Sequence, residues 1–195
     1  KDELYDIASF MGARLPYSLR RDDMLSALAG FIADEPEKWL PNQMGRDLDL
    51  LRDLVEAGPG KYREIPWPDF PSMLEVMNLV KVRRDGDAPP RMAIPRELYD
   101  IVSPCMDSAL SEYHSSGRRE MEQMVLGYLN LYGMIPQVDF LLLCSGSYSP
   151  YELVNCPVMK ICRVRDDVTG FVYLISPNVL DADKLLEMRR KYDLP

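Results

Sequence analysis

The sequence predicts a mainly α-helical chain with a minor β component, an α+β fold, on three observations. Apolar residues recur at three- and four-residue spacing through most of its length, as one face of a helix requires. That rhythm is punctuated by 11 glycines and 16 prolines, which cut the 195 residues into short elements. Finally, one pattern of apolar strand, charged turn, apolar strand and Pro-led helix occurs twice. Residues 78–98 carry it first and residues 159–180 repeat it: Val82-Arg83 matches Val164-Arg165, Pro95 matches Pro177 and Leu98 matches Leu180, each pair 82 apart. Each copy reads as a β-hairpin hung between helices.

Taken in order, Leu4, Ile7, Ala8 and Met11 form one helical face that Gly12 ends. Residues 13–19, with Pro16, read as extended. Arg21-Asp22-Asp23 opens a second helix, where acids favour the helix dipole. Its apolar stripe is Met24, Leu25, Leu28, Ala29, Phe31 and Ile32, and Pro36 and Pro41 bracket its exit. A third helix over 45–58 rests on Leu48, Leu51, Leu54 and Val55, and Gly58-Pro59-Gly60 terminates it. Residues 61–71 read as a loop or extended arm, and Phe70–Met77 as a short helix with Met73, Leu74 and Met77 inward.

The first hairpin pairs 79–82 with 92–94 around Asp85-Gly86-Asp87 and Pro89-Pro90. A long helix over 96–116 is kinked or split by Pro104. After Gly117, residues 118–132 form a helix with Met121, Met124, Val125, Leu126 and Leu129 inward, closed by Gly133. Short helices are expected over 136–143 and 150–155. The second hairpin pairs 161–165 with 171–175 around Asp166-Asp167-Val168-Thr169-Gly170, and residues 181–191 form the closing helix.

The repeat reaches back beyond the hairpins. Leu51, Leu54 and Gly58 match Leu126, Leu129 and Gly133, each 75 apart, so the second copy carries extra residues, assigned to 144–150. Helix, short helices, hairpin, helix is the element order of a winged-helix domain, and both copies resemble one in that order. The expected division is a helical head over 1–44, a first winged-helix-like repeat with a trailing helix over 45–116, and a second such repeat over 117–195.

The head resembles a known type as well. Leu4, Ile7, Leu19, Arg20, Arg21, Leu25 and Leu28 follow the helix–extended–helix pattern of SAP and Rho-N-terminal-like motifs over about residues 1–35. Those motifs commonly bind DNA or RNA through basic residues near the second helix, which here implicates Arg14, Arg20 and Arg21. The acids Asp22 and Asp23 depart from that surface. The alternative is a small helical hairpin capping its neighbour. The whole is similar to bacterial multi-domain proteins that join a Rho-N-like head to winged repeats, sometimes with a C-terminal zinc motif that this chain lacks.

Composition bounds the function. With 47% hydrophobic and 28% charged residues the chain is of ordinary globular type, and its length allows one large domain or two to three small ones. The longest apolar run is 140–144, so no membrane span is expected. Lys1-Asp2-Glu3-Leu4 has no signal-peptide character; with no initiator Met, flanking domains are expected to be missing. Four cysteines without C-x-x-C spacing and the single His114 make no zinc set, so neither metal nor cofactor is expected, and the thiols suit a reducing cytoplasm. There is no P-loop, dinucleotide fingerprint or catalytic triad, so no enzyme is expected.

A net charge of −8 confines any nucleic-acid surface to a patch. The candidates are two basic wings. Lys81, Arg83 and Arg84, with Arg91 nearby, occupy the first hairpin, and Arg163 and Arg165, with Lys160, the second. Alternation puts Lys81 and Arg83 on one strand face, and likewise Arg163 and Arg165. The alternative is a solvated strand face neutralised by Asp85, Asp87, Asp166 and Asp167. The recognition-helix segments carry few base-reading side chains, which favours backbone contacts over sequence readout. Trp67 and Phe70, on a Pro-flanked arm, are the candidate contacts for a protein partner. Two readings follow: DNA or RNA bound by the head and wings, or an adaptor that binds another protein.

Overall fold

The computed structural model describes residues 1–66, 72–86 and 88–192. The chain is mainly helical with two small three-stranded antiparallel sheets. Two compact units divide it, Lys1–Arg119 and Glu120–Pro195. No helix among the described residues is long and apolar enough to cross a membrane.

The first unit opens with α1 (Asp2–Met11), closed by Gly12 at φ 82, the left-handed conformation that a glycine adopts without Cβ strain. Ala8, Phe10 and Met11 are its buried residues. In α2 (Arg21–Asp34) only Met24 and Leu28 are buried. Leu25 is 48% exposed and Ala29 is exposed, a correction to the wider stripe expected. A 3.6-residue period aligns 24, 28 and 31, while 25 and 29 fall about 100° to the side. The chain then turns through α3 (Pro36–Trp39) and a 3-10 turn (Leu40–Asn42) into α4 (Gly45–Ala57), whose Leu48, Leu51 and Leu54 are fully buried. Trp39 is fully buried and its Nε1 donates to the Ile32 carbonyl at 3.1 Å.

Strand β1 (Arg63–Glu64), α5 (Met73–Val76), β2 (Lys81–Arg83) and β3 (Arg91–Ala93) follow, with sheet order β1-β3-β2. Pro104 splits the next helix into α6 (Arg96–Val102), a 3-10 turn (Ser103–Cys105) and α7 (Met106–Ser115). The Leu40–Asn42 turn and α4 both pack on α7. Tyr113 of α7 is buried against Gly45, where an added Cβ would stand 2.5 Å from the Tyr113 Cζ. Arg118 donates to the Gln43 carbonyl at 3.0 Å and lies over the Tyr113 ring.

The second unit takes up α8 (Arg118–Tyr132), capped by Gly133 at φ 70, whose N–H closes on the Leu129 carbonyl at 2.8 Å. Then come β4 (Met134–Pro136), α9 (Gln137–Cys144), α10 (Pro150–Asn155), α11 (Pro157–Ile161), β5 (Arg163–Arg165), β6 (Val172–Ile175) and α12 (Ala182–Tyr192). A capping box starts α10: Ser149 accepts from the Glu152 N–H, and the Glu152 carboxylate accepts from the Ser149 N–H at 2.8 Å. The sheet order is β4-β6-β5, and Met134, Ile175 and Leu186 form a core between sheet and α12.

Three expectations are corrected in this unit. Pro136 ends strand β4 and caps α9, so the helix expected from 136 begins one residue later, behind a strand. Ile161 ends helix α11 instead of opening the second hairpin. The Leu98–Leu180 match fails too: Leu98 is buried within α6, whereas Leu180 is 102% exposed ahead of α12. Residues 176–181 delay that helix. The Ser176 hydroxyl and the Asn178 side-chain amide donate to the Asn130 Oδ1 at 2.9 and 3.0 Å, and Asp181 accepts from the Lys184 N–H at 2.8 Å.

Candidate functional site

The two sheets share one plan. In each, a strand leaving a Gly-capped helix pairs with the second hairpin strand, and the first hairpin strand forms the opposite edge. Those edges are β2 and β5. Val82 stands opposite Met92, and Val164 opposite Tyr173. One step along, Lys81 stands opposite Ala93 and Arg163 opposite Leu174, and both central partners are fully buried. Lys81, Arg83, Arg163 and Arg165 are all exposed. The two basic pairs therefore stand alike on edge strands at their first cation, but their second cations differ, since Arg83 faces the exposed Arg91 and Arg165 faces Val172. The second ladder is also one residue out of step with the repeat, which would set Arg163 opposite Ile175. Exposed cations on an edge also repel a second strand from pairing there, which is a structural use for the same residues.

Local chemistry distinguishes the cations. The Arg83 guanidinium lies 4.2 Å from the Tyr62 ring centroid. Arg84 turns away to Glu75 of α5, and Arg91 pairs with Asp85 across the hairpin mouth. The first wing thus gives two of its four cations to surface ion pairs, each contributing at most about 1 kcal/mol. In the head, Arg14 and Arg20 are exposed, Arg20 in extended backbone as the N-cap of α2. Arg21 stands 3.9 Å from Asp22, with both side chains largely in water. Trp67 and Phe70 lie outside the described residues, as does Asp87. His114 is exposed, edge-on to Tyr113. No group of three or more His, Cys, Asp or Glu among the described residues is placed to hold a metal.

Two buried carboxylates fix these surfaces. Asp47, in the first turn of α4, is 1% exposed. It accepts from the Ser72 hydroxyl at 2.6 Å and the Met73 N–H at 3.3 Å, tying α4 to α5 beneath the first hairpin. Burial pushes its carboxyl above the ordinary 3.8, against the opposing pull of Ser72, Arg46 and the Met73 N–H. Asp166, 3% exposed, accepts from the Val168 N–H at 3.0 Å and the Thr169 hydroxyl at 2.8 Å, and pairs with Arg190 of α12 at 3.2 Å. Here the Val168 N–H, with Thr169 and Arg190, outweighs burial and holds the carboxyl below 3.8.

Sequence reasoning marked the cations and the turn acids. It missed Tyr62 beneath Arg83 and Arg190 behind Asp166; neither partner is close enough in sequence for a local pattern to reveal it. No known protein family, curated protein or solved structure matches this chain.

Proposed function

We propose that the chain is a non-enzymatic, nucleic-acid-associated protein built from a SAP/Rho-N-like head and two winged-helix-like repeats. In this reading Lys81 and Arg83 of the first wing, and Arg163 and Arg165 of the second, contact phosphate backbone, with Arg84 beside them and Arg14, Arg20 and Arg21 contributing from the head. The observation that supports it is the likeness of the two edge pairs: two sheets of one strand order each carry a basic–apolar–basic triplet on the first hairpin strand, with both cations exposed. Backbone contact needs no base-reading helix, and of α5 and α10 only the latter offers a base-reading side chain, Asn155, whose amide donates to the Tyr151 carbonyl. The test is fluorescence anisotropy with short DNA and RNA at ~50 and ~200 mM salt, where phosphate contacts must weaken as salt rises. Binding that is absent at the lower salt, or indifferent to salt, overturns the reading.

One observation favours an adaptor that binds another protein instead. Val138 and Leu142, one turn apart on α9, are each 68% exposed, and Tyr151 on α10 is 80% exposed. A strictly monomeric protein with no co-purifying partner counts against that alternative.

A further inference from the structure

The two hairpin ends differ in a way that the shared cations do not explain. The second carries two large apolar side chains in water, Val168 at 74% and Phe171 at 65% exposed. Phe171 is not on a loose loop. Its carbonyl accepts the Asp166 N–H at 2.9 Å, and the Gly170 N–H returns to the Asp166 carbonyl at 2.7 Å. The Asp166 side chain gathers the rest of the turn and fastens it to α12 through Arg190. An aromatic ring held in water on a fastened turn loses little freedom when a flat partner covers it.

Cations stand on both faces of the hairpin near that ring, Arg165 on the opposite face and Arg189 on the ring's own. Arg165 pairs with Val172, the next residue along the strand. Two residues on, Tyr173 carries the Arg189 guanidinium 5.3 Å from its ring centroid, and strand alternation puts Phe171 on the Tyr173 side. A flat apolar group flanked by anions is the chemistry that this end of the hairpin fits, and an unpaired nucleotide supplies both.

We infer that Phe171 is a stacking platform for an unpaired base, with Arg189, on the same face, taking an adjoining phosphate and Arg163 and Arg165 holding the strand as it passes the sheet edge. The inference rests on the nucleic-acid reading above and narrows it to single strands or unpaired ends. Two magnitudes favour a single strand over a duplex. Bases within a duplex already cover one another, and opening one step costs a few kcal/mol. The net charge of −8 also opposes attraction by charge alone, so a contact that salt does not screen carries more of the affinity.

The experiment titrates a dye-labelled oligo-dT, and the same strand annealed to oligo-dA, with the wild-type chain, Phe171→Ala, Phe171→Tyr and Arg165→Ala. The expected result is tighter binding of the single strand, a loss of about 5- to 100-fold for Phe171→Ala with the salt slope unchanged, and recovery in Phe171→Tyr. Arg165→Ala instead lowers the slope. Because Phe171 is exposed, its removal leaves the fold intact, which circular dichroism checks. If Phe171→Ala binds like wild type while Arg165→Ala lowers the slope, the platform is overturned and the nucleic-acid reading stands. If wild type binds neither probe, both fall together.

Discussion

The two hairpins share a strand order and a pair of exposed cations, yet the units place the buried aspartate beside the hairpin differently. In the first unit Asp47 lies under the sheet, joining α4 to α5, and the hairpin mouth is left to the surface pair between Arg91 and Asp85. In the second, the carboxylate has moved into the hairpin itself, where Asp166 holds the turn to α12. The titrations follow from the partners. Asp47 has one hydroxyl, one long N–H contact and a guanidinium 4.0 Å away, too little to offset desolvation. Asp166 has a full N–H bond, a hydroxyl and a closer guanidinium, and its carboxylate is favoured. Each direction is the balance of desolvation against donors, and desolvation weighs much more on Asp47 than on Asp166.

The largest effect that sharpens this comparison concerns how the first unit is closed. Gly45→Ala drives a methyl into the buried Tyr113 ring and should cost about 3 kcal/mol in denaturant unfolding. Wild-type stability in that variant would contradict the close packing of α4 on α7.

A smaller effect separates the two aspartates by pH. The folded Asp47 binds its proton more tightly than the unfolded chain does. Its contribution is therefore complete below 3.8 and lost as pH rises through its raised folded value. Asp166 is the reverse: its contribution is present above 3.8 and lost as pH falls through its lowered folded value. Asp47→Asn should thus flatten a loss of stability on the alkaline side of 3.8, and Asp166→Asn a loss on the acid side, both read as thermal midpoints across about pH 2–6. Two variants that change the profile in the same direction would refute the assignment.

Much of the fold was legible because it is written in local rhythm. The Gly12, Gly58 and Gly133 stops, the break at Pro104 and both hairpins follow from spacing and turn chemistry. The third strand of each sheet was not. Arg63–Glu64 is too short to show alternation, and Met134–Pro136 runs into α9 without a loop, so Pro136 read as a helix start. Within 157–165 the apolar residues fit helix or strand alike, and α11 took Ile161, the residue expected to open the hairpin. At the site, the alternation of Lys81 with Arg83 and of Arg163 with Arg165 was visible. Their register was not, because the pairing with Ala93 and with Leu174, one residue out of step with the repeat, is defined only by the folded sheets.

The central claim is that both of these basic pairs are sites for phosphate, and the salt dependence of binding tests it most directly. Lys81→Ala/Arg83→Ala and Arg163→Ala/Arg165→Ala are each titrated against a single-stranded oligonucleotide over a range of salt. Each double variant should lower the slope of log affinity against log salt by about 1.4, roughly 0.7 for each phosphate that the missing cation no longer neutralises. A drop confined to one pair, or a slope unchanged in both, would contradict it.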